Sequence, residues 1–316
     1  MKVLALAFPG FTFIDLAGPM QAFMMLPGFS SQIVWHSKGI VDSDAGVSVQ
    51  ATEDFGSCWK DPDILFVPGN SIHLFKQLQD DRTIDFIADV GSRAKWITSV
   101  CNGSLLLGAA GLLKGYKAAS YWYTREHLSL FGAIPTDARY VIDRNRATGG
   151  GMTAGIDFGL AMVGQLAGEP VGRVAELAFE YAPQPPFGTG RPELADPATL
   201  AKTTEIVKQI MPVQELEGVR ARRSTMGSSR GRPSSCQRCG DASLVLVSMM
   251  RRVYLISADA IAPLATGGAS VRASEEYSRS ASSKVTSCNR SLSSFITTVP
   301  PGPNARKARE PISRRK

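Results

Sequence analysis

The sequence predicts an α/β fold: a three-layer sandwich with a mostly parallel central sheet, followed by a largely disordered C-terminal tail. Three observations predict it. Through residues 1–222, short apolar runs alternate with amphipathic stretches, the rhythm of buried parallel strands covered by helices. One of those runs stops on a cysteine and passes directly into a helix of small residues, the layout of a nucleophile elbow above a sheet edge. After about Arg223 the chain turns to Ser, Arg, Ala, Gly and Pro, with one sustained apolar run at Leu244–Ile256, too little to offset chain entropy.

Taken in order, Val3–Phe8 is uninterrupted enough to be a buried first strand, and Asp15–Leu26 has the mixed pattern of a helix lying on it. Gln32–Ser37 and Val47–Ala51 are short strands, Ile64–Val67 a buried one, and Arg82–Arg93 an amphipathic helix. Lys95–Val100 is a strand running into Cys101, and Gly103–Leu113 is the small-residue helix after it. A short strand near Lys117–Ser120, a helix around Thr124–Phe131 and a strand pair within Arg139–Thr148 follow. Helices Thr153–Ala167 and Pro170–Tyr181, a proline-rich loop and a helix over Pro197–Gln209 complete residues 1–222. Residues 223–316 then form a second, basic region, either a disordered tail or sequence read out of frame.

Charge separates the same two regions. The net +7 is the sum of opposites: residues 1–217 hold 17 Lys and Arg against 23 Asp and Glu, whereas residues 218–316 hold 18 against 5. The high isoelectric point belongs to the tail, so no specific nucleic-acid partner is expected of the folded part. No run approaches the ~20 apolar residues of a membrane span, and the opening MKVLALAFPG meets Gly10 and Asp15 instead of a leader cleavage pattern. Five cysteines, at 58, 101, 236, 239 and 288, are odd in number and sparse, which fits a reducing cytoplasm better than a disulfide framework.

Chemistry concentrates at the sheet's carboxyl edge. Cys101 sits between strand and helix, where helix N–H groups favour thiolate and supply donors to a developing negative charge. Its plain alternative is a small buried hydrophobe, the ordinary fate of a lone cysteine; the reading assigned to Cys58, which lacks any such setting. Asp15, between Ile14 and Leu16, is either a first-turn carboxylate or an acid kept protonated by an apolar pocket. Gly69 and Asn70 end a buried strand at the same edge, where turn chemistry explains them but backbone N–H groups for substrate are equally available. Gly149-Gly150-Gly151 lacks P-loop spacing and reads as a tight turn. Cys236-Gln-Arg-Cys239 has no second pair and no histidine in the tail, which weighs against zinc or any other metal.

The order FPG…DLAGP, VPG at 67–69, SVCNGSLLLGAAGLLKG at 99–115, TGGGMTAGIDF at 148–158 and EYAPQPPFGTGRP at 180–192 resembles the PfpI/ThiJ, or class I glutamine amidotransferase-like, superfamily, and within it the isonitrile hydratases. The resemblance implies a flavodoxin-like sandwich, a homodimer, and a cofactor-independent hydro-lyase that turns a small isonitrile into an N-substituted formamide through a Cys101 thioimidate. By position, Cys101 corresponds to the family's nucleophile and Asp15 to its essential aspartate. Asn102 stands at a catalytic position usually occupied by threonine, and Tyr121 where many relatives have histidine before tryptophan. Gly69, Asn70 and Tyr121 are thereby expected to hold substrate. With His36, His73 and His127 all outside matching motifs, Asp15 is the remaining acid–base partner. Two alternatives stay open: a transcriptional regulator built on the same domain, and a deglycase or glyoxalase, although those relatives use glutamate where this chain has Asp15.

Overall fold

Two apolar runs, KVLAL and ILFV, pair side by side at the centre of the molecule. The structure, a computed structural model, describes residues 1–71 and 74–228. Its main sheet has seven strands in the order β10-β11-β7-β6-β1-β2-β5, built from β1 (Lys2–Leu6), β2 (Ser30–Trp35), β5 (Glu53–Asp54), β6 (Ile64–Val67), β7 (Trp96–Ser99), β10 (Tyr140–Asp143) and β11 (Arg146–Gly149). All its neighbours run parallel except the β10–β11 hairpin. Every residue of β6 is buried, as a strand covered on both faces requires. Two small pairs, β3 (Gly39–Asp42) with β4 (Ser48–Ala51) and β8 (Lys117–Ala118) with β9 (Ile134–Pro135), stand apart.

Helices form the outer layers. α1 (Phe13–Phe23), α5 (Ala154–Ala167) and α6 (Glu169–Ala178) pack in succession on one another. Phe23, Phe66 and Phe158 join this layer to the sheet, with ring centroids 5.8 and 6.1 Å from Phe23. α2 (Leu74–Gln79), α3 (Asp81–Gly91) and α4 (Gly103–Ala109) form a second group, with the 3-10 helix Arg125–Phe131 against α4. α7 (Pro197–Ile210) starts on an Asp196 cap that accepts from the Ala198 and Thr199 N–H groups, and α8 (Leu216–Ser228) buries Leu216 and Val219. The mostly parallel three-layer sandwich expected from the apolar rhythm is the one formed.

Differences lie at the ends and in the shortest pieces. The helix expected at Gly103–Leu113 stops at Ala109, because Gly111, just past the Ala110 cap, takes positive φ. Thr124–Phe131 is a 3-10 rather than an α-helix. α8 continues across the boundary expected at residue 222. The expected disorder of the tail, its apolar run Leu244–Ile256 and the Cys236–Cys239 pair lie outside the described residues.

Candidate active site

The strand-to-helix turn after β7 sets Cys101 in the left-handed region, at φ 56°. That conformation is costly for a side-chain-bearing residue and persists only where the surroundings fix it. Here they do: the Cys101 N–H donates to the carbonyls of Gly149 (3.1 Å) and Gly150 (2.9 Å). Its own carbonyl accepts from the hydroxyls of Ser104 and Ser120, both at 3.1 Å. Gly103 makes the turn possible, since a Cβ there would fall 2.5 Å from the carbonyl oxygens of Val67 and Pro68.

Asp15 reaches the same point from the other side of the sheet edge. It is fully buried in the first turn of α1, and a Cβ added to Gly69 would lie 2.8 Å from Asp15 Oδ2, 2.7 Å from Cys101 Cβ and 2.7 Å from Asn102 Oδ1. Three candidate residues from two segments, the start of α1 and the turn after β7, therefore converge against Gly69. Burial pushes the Asp15 carboxyl up to about 7 and the Asp44 carboxylate adds to the rise, while the Cys101 thiol and the Gly69 N–H pull it down. Neither Asp15 oxygen has a hydrogen-bond partner of ordinary geometry among the described residues. The neutral acid is consequently abundant at neutral pH.

The expectation that the helix would favour a Cys101 thiolate is corrected by the structure. Burial, and next the charge of Asp15, hold the thiol well above its ordinary value, outweighing the N–H groups of Asn102 and Met152 that face the sulfur. Cys101 and Asp15 are thus a coupled pair that carries a proton rather than a free thiolate beside an acid. Cys58 is buried, and burial raises its thiol as well, with Lys60 Nζ at 3.9 Å.

Asn102 is buried and occupied. Its Oδ1 accepts from the Asn70 N–H at 2.9 Å, and its Nδ2 donates to the Asn70 carbonyl at 2.6 Å and faces the Met211 sulfur at 3.3 Å. Both amide protons have acceptors, so the geometry makes Asn102 a clamp on the Gly69–Asn70 loop. The Asn70 N–H expected to meet substrate is spent on this clamp. What Asn70 offers instead is its side chain, 1% exposed with neither Oδ1 nor Nδ2 partnered among the described residues. Tyr121 is half-buried, and burial, followed by the charge of Cys101, pushes its phenol up to about 12.

Three contributors went unread in the sequence. Asp44 caps α1 from outside: its Oδ1 accepts the Phe13 N–H at 3.2 Å, and its Oδ2 accepts the Thr12 hydroxyl at 2.7 Å as well as that of Ser71. It thereby ties the helix carrying Asp15 to the loop carrying Gly69 and Asn70. Met152 turns its N–H toward Cys101 from a backbone at φ 34°, and Met211 closes the Asn102 amide. The TGGGM run was a visible signal for Met152; nothing local marks Asp44 or Met211.

A parallel sheet with a strained cysteine at its carboxyl edge and a buried acid against it defines a cysteine-elbow α/β protein. The DJ-1/PfpI family profile matches residues 1–165, and the chain belongs to that family. It is 40% identical over 197 residues to the isonitrile hydratase of Pseudomonas putida, a match spanning 62% of this chain and 85% of that protein. A ThiJ/PfpI family protein from Pseudomonas syringae is 45% identical, with a TM-score of 0.67 over 69% of this chain and 90% of the other. Deglycase PfpI of Pyrococcus furiosus is 27% identical over 146 residues, 46% of this chain and 87% of that one. Among the described residues, no helix is long and apolar enough to cross a membrane.

Proposed function

We propose that the protein is a cofactor-independent isonitrile hydratase, acting on a small isonitrile in the cytoplasm as a homodimer. The observation that carries the reading is the convergence of a buried Asp15, its oxygens without ordinary hydrogen bonds, and Cys101 on one point against Gly69. The similarity to the Pseudomonas putida isonitrile hydratase supports the reaction class. An aspartate in place of the glutamate expected of a deglycase supports it further.

In the first step, neutral Asp15 gives its proton to the terminal isonitrile carbon while the thiol proton passes to Asp15 and sulfur bonds to that carbon. The product is a thioimidate on Cys101, with Asp15 protonated again. Asp15 then protonates the imine nitrogen and, as carboxylate, takes a proton from the water that adds to the same carbon. Breaking the carbon–sulfur bond, with the hydroxyl proton returning to sulfur, releases the N-substituted formamide. The N–H groups of Asn102 and Met152 hold charge on the departing sulfur, the Asn70 amide meets substrate or water, and Asn102 keeps the loop in place.

The test is incubation of the full-length protein with a simple alkyl isonitrile, following formamide by proton NMR and the Cys101 adduct by mass spectrometry. Formamide release that disappears in Cys101→Ser is expected. Consumption of methylglyoxal with no formamide from any isonitrile would overturn the reading in favour of a deglycase.

A further inference from the structure

The proline-rich segment after α6 plays no part in the chemistry above, yet it builds a wall beside it. Gly190, Arg191, Pro192 and Glu193 line a cleft of about 430 Å³. Three other lining residues touch the nucleophile's own backbone or sulfur: Ser120 donates to the Cys101 carbonyl, Gly150 accepts its N–H, and the Met152 N–H faces its sulfur. The cleft therefore adjoins the turn that holds Cys101.

The cleft is rich in guanidinium groups. Arg125 opens the 3-10 helix, Arg139 precedes β10 and Arg191 belongs to the proline-rich wall, and all three line the cleft, against Asp137 and Glu193 as its acids. Asp137 is shared, binding both Arg125 Nη1 and Arg191 Nη2. Arg139 uses Nε (2.8 Å) and Nη2 on Asp157, Arg125 uses Nε on Glu126, and Arg191 uses Nε on Glu193. Each guanidinium spends Nε and one terminal nitrogen in this way. With five N–H donors in a planar fork, each retains a terminal nitrogen for a further acceptor, and the match for such donors is a carboxylate. Tyr121 and Trp122 add aromatic surface to the same lining.

We propose that this cleft receives a carboxylate at the far end of the substrate, with Arg191, Arg139 and Arg125 as receiving groups and the two aromatic rings flanking its apolar linker. The proposal rests on the hydratase reading for the identity of the reacting end alone.

Two measurements on the full-length protein separate the two ideas. In the first, linear isonitriles of equal length, one ending in a carboxylate and one in a primary amide, are compared by kcat/KM. The acid is expected to be favoured at least about tenfold, a difference of about 1.4 kcal/mol, and added salt should shrink the ratio. In the second, Cys101 is alkylated with two iodoacetamides of equal length bearing the same two end groups, and rates are read by mass spectrometry. The same preference is expected, and Arg191→Gln should lower both ratios by at least about half, mainly through slower reaction of the acid-ended reagents. Arg191→Lys, which keeps the charge without the fork, should retain part of the preference and guards against a Gln variant that fails to fold. Equal rates, a preference for the amide, a preference untouched by Arg191→Gln, or no alkylation of Cys101 by either reagent would overturn the proposal. A charge preference in alkylation with no isonitrile turnover would remove the hydratase reading and leave the anion-receiving cleft standing.

Discussion

Asp15 and Asp80 both stand at the start of a helix, α1 in one case and α3 in the other, but their surroundings could hardly differ more. Asp80 is half-buried, and burial alone would raise its carboxyl. Contacts with His36 (2.9 Å) and the Thr83 hydroxyl (2.6 Å) hold it instead at about 2. It also accepts the Arg82 N–H as a helix cap. Asp15 lies wholly in the interior, where the Cys101 thiol and the Gly69 N–H face it without ordinary hydrogen-bond geometry and do not offset burial, and it is pushed to about 7. A helix start therefore does not determine what an aspartate does; the count of donors aimed at it does. One region is finished as a structure, the other is left incomplete for something else to complete.

The largest expected effect breaks this contrast directly. Asp15→Asn should lower isonitrile turnover by roughly 10²–10⁴-fold, the range for loss of a general acid. It should also make the protein more stable at about pH 8, by on the order of 2–4 kcal/mol at most, because a charge no longer has to be held in the interior. Asp80→Asn should do the reverse, leaving turnover unchanged and costing about 1–2 kcal/mol of stability through a weakened cap. Paired denaturant melts and kinetics check both; a destabilised Asp15→Asn variant would show that Asp15 is a structural residue after all.

The two carboxyls also titrate in opposite senses. Asp15 is raised on folding, so its contribution to stability is complete below the ordinary aspartate value near 3.8 and is lost as pH climbs from there through about 7. Asp80 is lowered, so its contribution is complete above about 3.8 and is lost as pH falls through about 2. Because the reaction begins with neutral Asp15, kcat/KM should decline above about pH 7. Asp44→Asn removes a charge that raises Asp15, so that decline should begin at lower pH; a profile that does not move would confine Asp44 to its capping role.

The sequence made some of this legible and left the rest dark for physical reasons. Ile64–Val67 was readable to the residue because a strand covered on both faces is apolar throughout, and Cys101 was readable because an elbow is a local object. Two-residue strands such as β5 and β9 are too short to show alternation, and the six-residue α2 exposes its period only through Leu74 and Leu78. Asp44 and Met211 reach the site from 29 residues beyond Asp15 and 109 beyond Asn102, distances over which no pattern in the chain speaks. The thiolate expected from a helix N-terminus failed for a related reason: burial and a distant acid outweighed a local dipole.

The smallest expected effect concerns that distant contact. Met211→Leu should change turnover less than about twofold and stability by less than about 1.5 kcal/mol, since volume is conserved and Asn102 keeps its two bonds to Asn70. Larger losses in kinetics or melting would mean that the sulfur itself positions the clamp.

The Asn102 clamp has a bearing on which substitutions this site can accept. Threonine, the residue that the family resemblance leads one to expect at this place, has one hydroxyl where the amide offers an acceptor and two donated protons. Installing it here would strand the Asn70 N–H or carbonyl in a dry interior, so Asn102→Thr is not a neutral exchange. Positions 70, 102 and 211 are physically coupled, so the effects of substitutions at these three places should not add.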